Sequence, residues 1–381
     1  MDFFSERLIS RAATIDELLS DGFEAIPGDK DHAGVGQRRL AAWCQSAAGG
    51  DWSLFERRLR RDGLDSAGVL ARLTAVRRKP AVPTPRWVAD ATWILPALEA
   101  TTTSAAQESG DQTEPVAFEH LLAGVVENAE ALLRSGVSDK ATANLTASAH
   151  DCLRRALLVE LSELAAPAFY ERFSAMRDAA ETVETAGLRQ HSQASLYEKF
   201  VADMRTDGFR QLFEQKPVLL RLLSTIVRQW IETSREFIMR LDADLPLIRE
   251  VLHAGKNGGV SQLEGGFSDP HNEGRSVRIV IFADGSKVVY KPKDLRVDVA
   301  WQGLVDRLNW AKPPVELKTA RTIAYTGYGW TECIEHAGCA APDEFKIFFR
   351  RVGAWLALFH CFAANDMHQE NIVATGSHPV P

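Results

Sequence analysis

No run of apolar residues in this 381-residue chain approaches the roughly 18 needed to cross a bilayer, so no membrane span is expected. The opening stretch, MDFFSERLISRAATIDELL, lacks the basic start and unbroken apolar core of a signal peptide. Basic charge is not in excess either. Lys and Arg number 44 against 51 Asp and Glu, a net −7, which argues against nucleic acid as a partner because phosphate neutralisation needs a basic patch. Five scattered cysteines (Cys44, Cys152, Cys333, Cys339 and Cys361) make no disulfide framework and fit reduced thiols. G-x-S-x-G and H-E-x-x-H are missing, which leaves serine-hydrolase and zincin chemistry without support. No fixed-period repeat is visible, so a solenoid is not expected. A soluble, cytoplasmic protein is the expectation.

What is present is an ordinary globular composition, 45% hydrophobic and 25% charged, which excludes wholesale disorder. The length allows about two or three domains. Residues 1–250 read as helices. Trp52, Phe55 and Leu59 recur at three- and four-residue steps before a stop at Asp62-Gly63. Pro80, Pro83 and Pro85 break the pattern, and the polar stretch 101–115 reads as a loop. Helical periodicity resumes over Phe118 to Leu133 and Leu153 to Leu164. The clearest helix opens after Lys216-Pro217 and places Leu219, Leu222, Leu223, Ile226, Val227, Trp230 and Ile231 on one apolar face, a core stripe.

The pattern changes near Leu252. The Gly-rich polar stretch to Ser276 reads as loop. Two β-branched runs, Val277 to Phe282 and Lys287 to Lys291, flank Asp284-Gly285 and predict a hairpin. A second hairpin is predicted around Thr326 to Gly329. A helix after Pro342-Asp343 is expected to carry Phe345, Phe348, Phe349, Val352, Leu356 and Phe359 on its buried face, ending near Ala363-Ala364. A short strand, Ile372 to Ala374, follows. The expected fold class is α+β, a mostly helical region (1–250) followed by a β-containing core (251–381).

Three features of the second half carry chemistry together. The loop Ser268 to Ser276 directly precedes a hairpin and can lay backbone amides, Arg275 and Ser276 against phosphate oxygens, although alone it reads better as an exposed turn. Lys291 ends the hairpin's second strand, in Val288-Val289-Tyr290-Lys291, the setting in which kinases hold ATP phosphates. The loop Asn365 to Ile372 spaces Asp366 and Asn371 as the kinase catalytic loop spaces its Asp and Asn. There one carboxylate orients or deprotonates the attacking hydroxyl, and the amide oxygen holds magnesium on the ATP phosphates. His368, between them, is placed to stabilise the transferring phosphoryl group. Cys333, His336 and Cys339 lack a fourth ligand at suitable spacing, so zinc is not expected.

Two long motifs bring these features to a family. GFSDPHNEGRSVRIVIFADGSKVVYKPKDLRVD (Gly266 to Asp298) and RRVGAWLALFHCFAANDMHQENIVATGSHPVP (Arg350 to Pro381) resemble the dehydratase domain of class II lanthipeptide synthetases. Phe55 to Leu64 and Lys216 to Leu222 are weaker echoes. The resemblance implies a lipid-kinase-like core with helical additions that uses ATP and Mg²⁺ to phosphorylate Ser and Thr of a ribosomal precursor peptide. The phosphate is then eliminated to give dehydroamino acids. Residue by residue, it implies that Asp269 and His271 form the phosphate-side loop pair and Lys291 the ATP contact. Asp366, His368 and Asn371 would be the catalytic-loop trio, with Asn371 on the metal.

The family continues with an acidic metal ligand a few residues beyond the catalytic loop, then elimination residues, then a zinc-dependent cyclase domain. The sequence stops at Pro381 before any of these, so a truncated synthetase is expected. A leader-peptide-binding module with an inactive kinase half, and a small-molecule or lipid kinase, are the competing readings.

Overall fold

The structure is a computed structural model that describes residues 4, 6–26, 33–73, 76–100, 115–185, 193–265, 271–365, 367, 368 and 371–381. Asp269 and Asp366 lie outside the described residues, as does most of the predicted 101–115 loop. The fold is α+β, as expected, and the chain divides into two compact units. The first comprises residues 1–128 and 158–228, the second residues 129–157 and 229–381.

The first unit is built of helices plus one small ribbon, β1 (Phe23–Ala25) antiparallel to β2 (Val76–Arg78). The helix Trp52–Arg61 starts where predicted because the Asp51 carboxylate accepts hydrogen bonds from the Ser53 and Leu54 amides, at 2.9 and 3.0 Å. Phe55 and Leu59 join Leu18, Leu40, Cys44, Val69 and Leu73 in one core, while Trp52 stays largely outside it. A second core is aromatic. Phe118, Phe169, Phe173, Tyr197 and Phe200 meet largely edge to face with centroids 5.3–6.4 Å apart.

The second unit holds a five-stranded antiparallel sheet in the order β3-β4-β5-β7-β6: β3 (Val260–Glu264), β4 (Arg278–Phe282), β5 (Lys287–Lys291), β6 (Thr322–Tyr325) and β7 (Tyr328–Glu332). Both predicted hairpins form. Gly285 takes φ +80° in the β4–β5 turn, a conformation that costs glycine little. The helix Arg296–Trp310 packs against β6. The helix Pro342–Cys361 packs against the closing ribbon, β8 (Val373–Thr375) with β9 (His378–Val380), and Trp355 Nε1 donates to the Pro379 carbonyl at 2.8 Å.

Three expectations need correction. The stretch read as loop from Leu252 contains β3, whose single buried apolar anchor, Val260, pairs with Phe282. The helix opened by Pro217 runs to Leu247, and Leu222 of its expected core face is exposed. The helix from Pro342 is rotated relative to the predicted face. Trp355 and Phe359 are buried with Val305 and Leu317, whereas Phe345, Phe349 and Leu356 face solvent.

Candidate functional site

Lys291 is the last residue of β5 and sits opposite Gly329 of β7. Strand alternation sends Val288 and Tyr290 to the buried face of the sheet and Lys291 to the other. Its side chain is half-buried, and no hydrogen bond or ion pair holds its ammonium among the described residues. Burial pulls the Lys291 pKa below the ordinary lysine value, and the Asp298 carboxylate opposes that pull. A desolvated, unpartnered cation at a strand end is a ready receptor for an anionic ligand.

The phosphate-side loop closes as a tight turn. The His271 amide donates to the Arg275 carbonyl at 2.9 Å and the Arg275 amide returns the bond at 2.8 Å. Asn272, Glu273 and Gly274 all take positive φ (44°, 68° and 83°). A Cβ at Gly274 would lie 2.9 Å from Gln229 Cβ, so the turn needs glycine on two grounds. His271 is exposed. The Arg275 guanidinium is tied down within the protein: its Nε donates to Glu236 at 3.0 Å and its Nη1 to the Asn272 carbonyl of the loop at 2.5 Å. Arg275 and Ser276 instead line a cavity with Arg278, Tyr290 and Pro292.

His368 and Asn371 are brought together. Asn371 Nδ2 lies 3.2 Å from His368 Nε2, and the Asn371 amide donates to the His368 carbonyl at 3.0 Å. Ile372, the next residue, packs on the Trp355 and Phe359 core, which fixes where this polar turn ends. Because Nδ2 faces the histidine, the planar amide directs Oδ1 the other way, a hard oxygen of the kind Mg²⁺ accepts. Among the described residues no group of three His, Cys, Asp or Glu could hold a metal ion by itself. Cys339 Sγ contacts the Gly376 carbonyl at 3.4 Å, and burial raises the Cys333 pKa.

Sequence reasoning missed a polar layer under the sheet. Trp330 Nε1 donates to buried Asp244 at 2.8 Å, and Tyr325 and Tyr328 also bond that carboxylate. Burial and Asp244 push the Tyr325 pKa up to about 12. Arg240 donates to the Tyr290 hydroxyl at 2.6 Å, pairs with Glu236, and stacks 3.9 Å over the Tyr328 ring. A signal existed: Glu236, Arg240 and Asp244 recur every four residues and so share one face of the helix.

The described part of this unit contains no helix long and apolar enough to cross a membrane, nor does the rest of the described chain. Residues 217–381, which carry the sheet, Lys291 and the His368–Asn371 turn, match the family described as Domain of unknown function (DUF4135). The chain is similar to the lacticin 481/lactococcin biosynthesis protein LcnDR2 of Lactococcus lactis subsp. lactis, 22% identical over 195 residues. That alignment covers 48% of this chain and 21% of the relative, so the matched region spans about a fifth of the relative's length.

Proposed function

We propose that this chain carries the phosphorylating part of a lanthipeptide dehydratase, acting on Ser and Thr of a ribosomal precursor peptide. The likeness to a lacticin 481 biosynthesis protein supports the pathway. The observation that supports the chemistry is the pairing of two polar features in one family-matched segment. Lys291 is a desolvated cation at a strand end with no partner among the described residues, and His368 and Asn371 share one turn after a long helix.

In this reading Lys291 takes an ATP phosphate oxygen, where a preorganised charge in a dry setting is worth several kcal/mol to the transition state. Asn371 Oδ1 would hold magnesium jointly with the nucleotide, and the metal when bound would neutralise charge on the β- and γ-phosphates. Asp366 is assigned as the group that orients the substrate hydroxyl and accepts its proton. His368, fixed by Asn371, faces the charge that develops on the transferred group. Asp269 and His271 are assigned to the phosphate side. Elimination of the phosphate to a dehydroamino acid follows phosphorylation in this proposal.

The test is mass spectrometry of a Ser/Thr-rich precursor peptide incubated with the protein, ATP and Mg²⁺. Added phosphate marks kinase chemistry alone, and loss of water marks the complete dehydration. A peptide left unchanged, with no ATP-dependent modification under any precursor tested, would sink the reading.

A further inference from the structure

Asn272, Glu273 and Gly274 take positive φ in succession, and two of the three carry a side chain that resists it. Such a run persists only where neighbouring groups over-determine it, and strained residues of this kind gather at ligand clamps. Two backbone hydrogen bonds between His271 and Arg275 close the turn. A third tie is the Arg275 guanidinium, whose Nη1 donates to the Asn272 carbonyl at 2.5 Å. That guanidinium is itself aimed by Glu236 of the helix Pro217–Leu247, which takes its Nε at 3.0 Å.

Glu236 holds more than the turn. Its other carboxylate oxygen pairs with Arg240, four residues on along the same helix face. Arg240 donates to the Tyr290 hydroxyl at 2.6 Å and stacks over the Tyr328 ring. Tyr290 immediately precedes Lys291 in β5. One carboxylate therefore ties the turn that carries His271 to the strand end that carries Lys291. The Arg240 and Glu236 side chains are only 21% and 23% exposed, so these contacts are partly shielded from water. Apolar packing would hold the helix to the sheet as firmly, since a buried ion pair is weak evidence for stability. Two guanidiniums on one carboxylate fix direction instead, because each planar fork accepts a narrow range of geometry.

We propose that Glu236 is a positioning residue. Acting through Arg275, it holds the His271–Arg275 turn in its left-handed conformation and in register with Lys291, so that both meet the phosphates of one nucleotide. What the turn binds rests on the phosphotransfer reading, whereas the hold of Glu236 on the turn does not. Glu236 itself lies on the Tyr290 side of the sheet, away from the face to which Lys291 is directed.

Hydrogen exchange read by mass spectrometry on the full chain tests the hold on the turn. In Glu236→Gln the peptide 271–276 should exchange about tenfold or more faster, as loss of a charge-assisted hydrogen bond implies. The edge strands β3 and β6 should stay within about twofold of the parent. Unchanged exchange at the turn, or equal acceleration in the edge strands, overturns the proposal, the latter because it marks a merely structural role. Glu332→Gln, which breaks the Arg321 ion pair of the same sheet, should leave the turn at the parent rate, and acceleration there too overturns it. Precursor phosphorylation tests the consequence. Glu236→Gln should raise KM for ATP about tenfold and leave kcat within about threefold, because the turn grips phosphate before the transition state as well as in it. Added to Arg275→Met, it should raise KM by less than about twofold more, since it acts through that residue. An unchanged KM, or effects that multiply independently, overturns the proposal and leaves the phosphotransfer reading standing. Where Glu236→Gln fails to fold, Arg275→Met, which keeps the Glu236–Arg240 pair, replaces it with the same supporting and overturning results. A parent that modifies no precursor ends the phosphotransfer reading, and the exchange result alone then decides the role of Glu236.

Discussion

Lys291 is a residue whose stability and function pull apart. A half-buried ammonium with no partner among the described residues disfavours the folded state, and the lowered pKa records that cost. The folded chain holds this proton less tightly than the unfolded chain does. The penalty is therefore complete below the folded pKa and is relieved as pH climbs toward the ordinary lysine value of 10.5. Lys291→Met should raise stability near pH 7 by about 1 kcal/mol, read as an upward shift in thermal midpoint. The same change should lower phosphoryl transfer by about 10²-fold or more, since it deletes the charge aimed at the phosphate. A variant that is less stable than the parent at pH 7 would mean that the ammonium is well paired after all. At this scale the sequence was legible where a residue type stands out against its neighbours, as Lys291 does at the end of a β-branched run. It was not legible for Arg278. An arginine preceding an apolar strand reads as solvent-facing until register and pleat place it under the sheet.

At the scale of elements, Glu17 holds two helices of the first unit. Its carboxylate accepts from the Thr14 amide at 2.8 Å, closing a capping box, and takes both terminal nitrogens of Arg221, at 2.5 and 3.0 Å. Burial pushes its pKa up, but the Arg221 and Thr14 hydrogen bonds outweigh that and leave it below the ordinary glutamate value. Stability from this group is present above the ordinary glutamate value of 4.5 and is lost as pH falls through the folded pKa. Glu17→Gln should cost about 1–3 kcal/mol at pH 7 and flatten the acid limb of the stability curve below pH 4.5. An acid limb unchanged by the substitution would remove Glu17 from that role. In the second unit, Gly274→Ala should cost about 1–3 kcal/mol, because it combines a φ of +83° with a collision at Gln229. Chemical denaturation measures both. Element types were largely readable because turn chemistry is local: Asp51 caps, Asp62-Gly63 stops, and Asp284-Gly285 turns. Element faces were not. The aromatic residues of the helix Pro342–Cys361 share one broad face, and only the edge of it that carries Trp355 and Phe359 is buried, so periodicity alone does not fix its rotation. The deciding contact, Trp355 with the Pro379 carbonyl, comes from β9, which the sequence hides behind a proline. β3 was hidden likewise by the polar residues on its exposed side.

For the whole molecule, the rotation of that helix decides how the protein behaves in solution. Phe345, Phe349 and Leu356 are 54%, 66% and 62% exposed. Their steps of four and seven residues put them on one stripe of the helix. Scattered exposed apolar residues are normal, but a continuous stripe including two phenylalanines is the kind of surface that associates. Trp355, about a quarter-turn round the helix from that stripe, is buried, so two neighbouring faces of one helix make opposite predictions. Trp355→Ala should cost about 3–5 kcal/mol through lost packing and should promote aggregation by unfolding. Phe349→Ser with Leu356→Gln should leave the thermal midpoint within about 0.5 kcal/mol of the parent in stability terms, since neither side chain is in the core. The parent should show concentration-dependent self-association by sedimentation velocity, and the double variant should sediment closer to a monomer at the same concentration. Both proteins carry the same buried Trp355 core, so a difference between them reports the stripe and not the fold. If both sediment alike, the exposed phenylalanines do not drive association and the stripe is merely solvated surface.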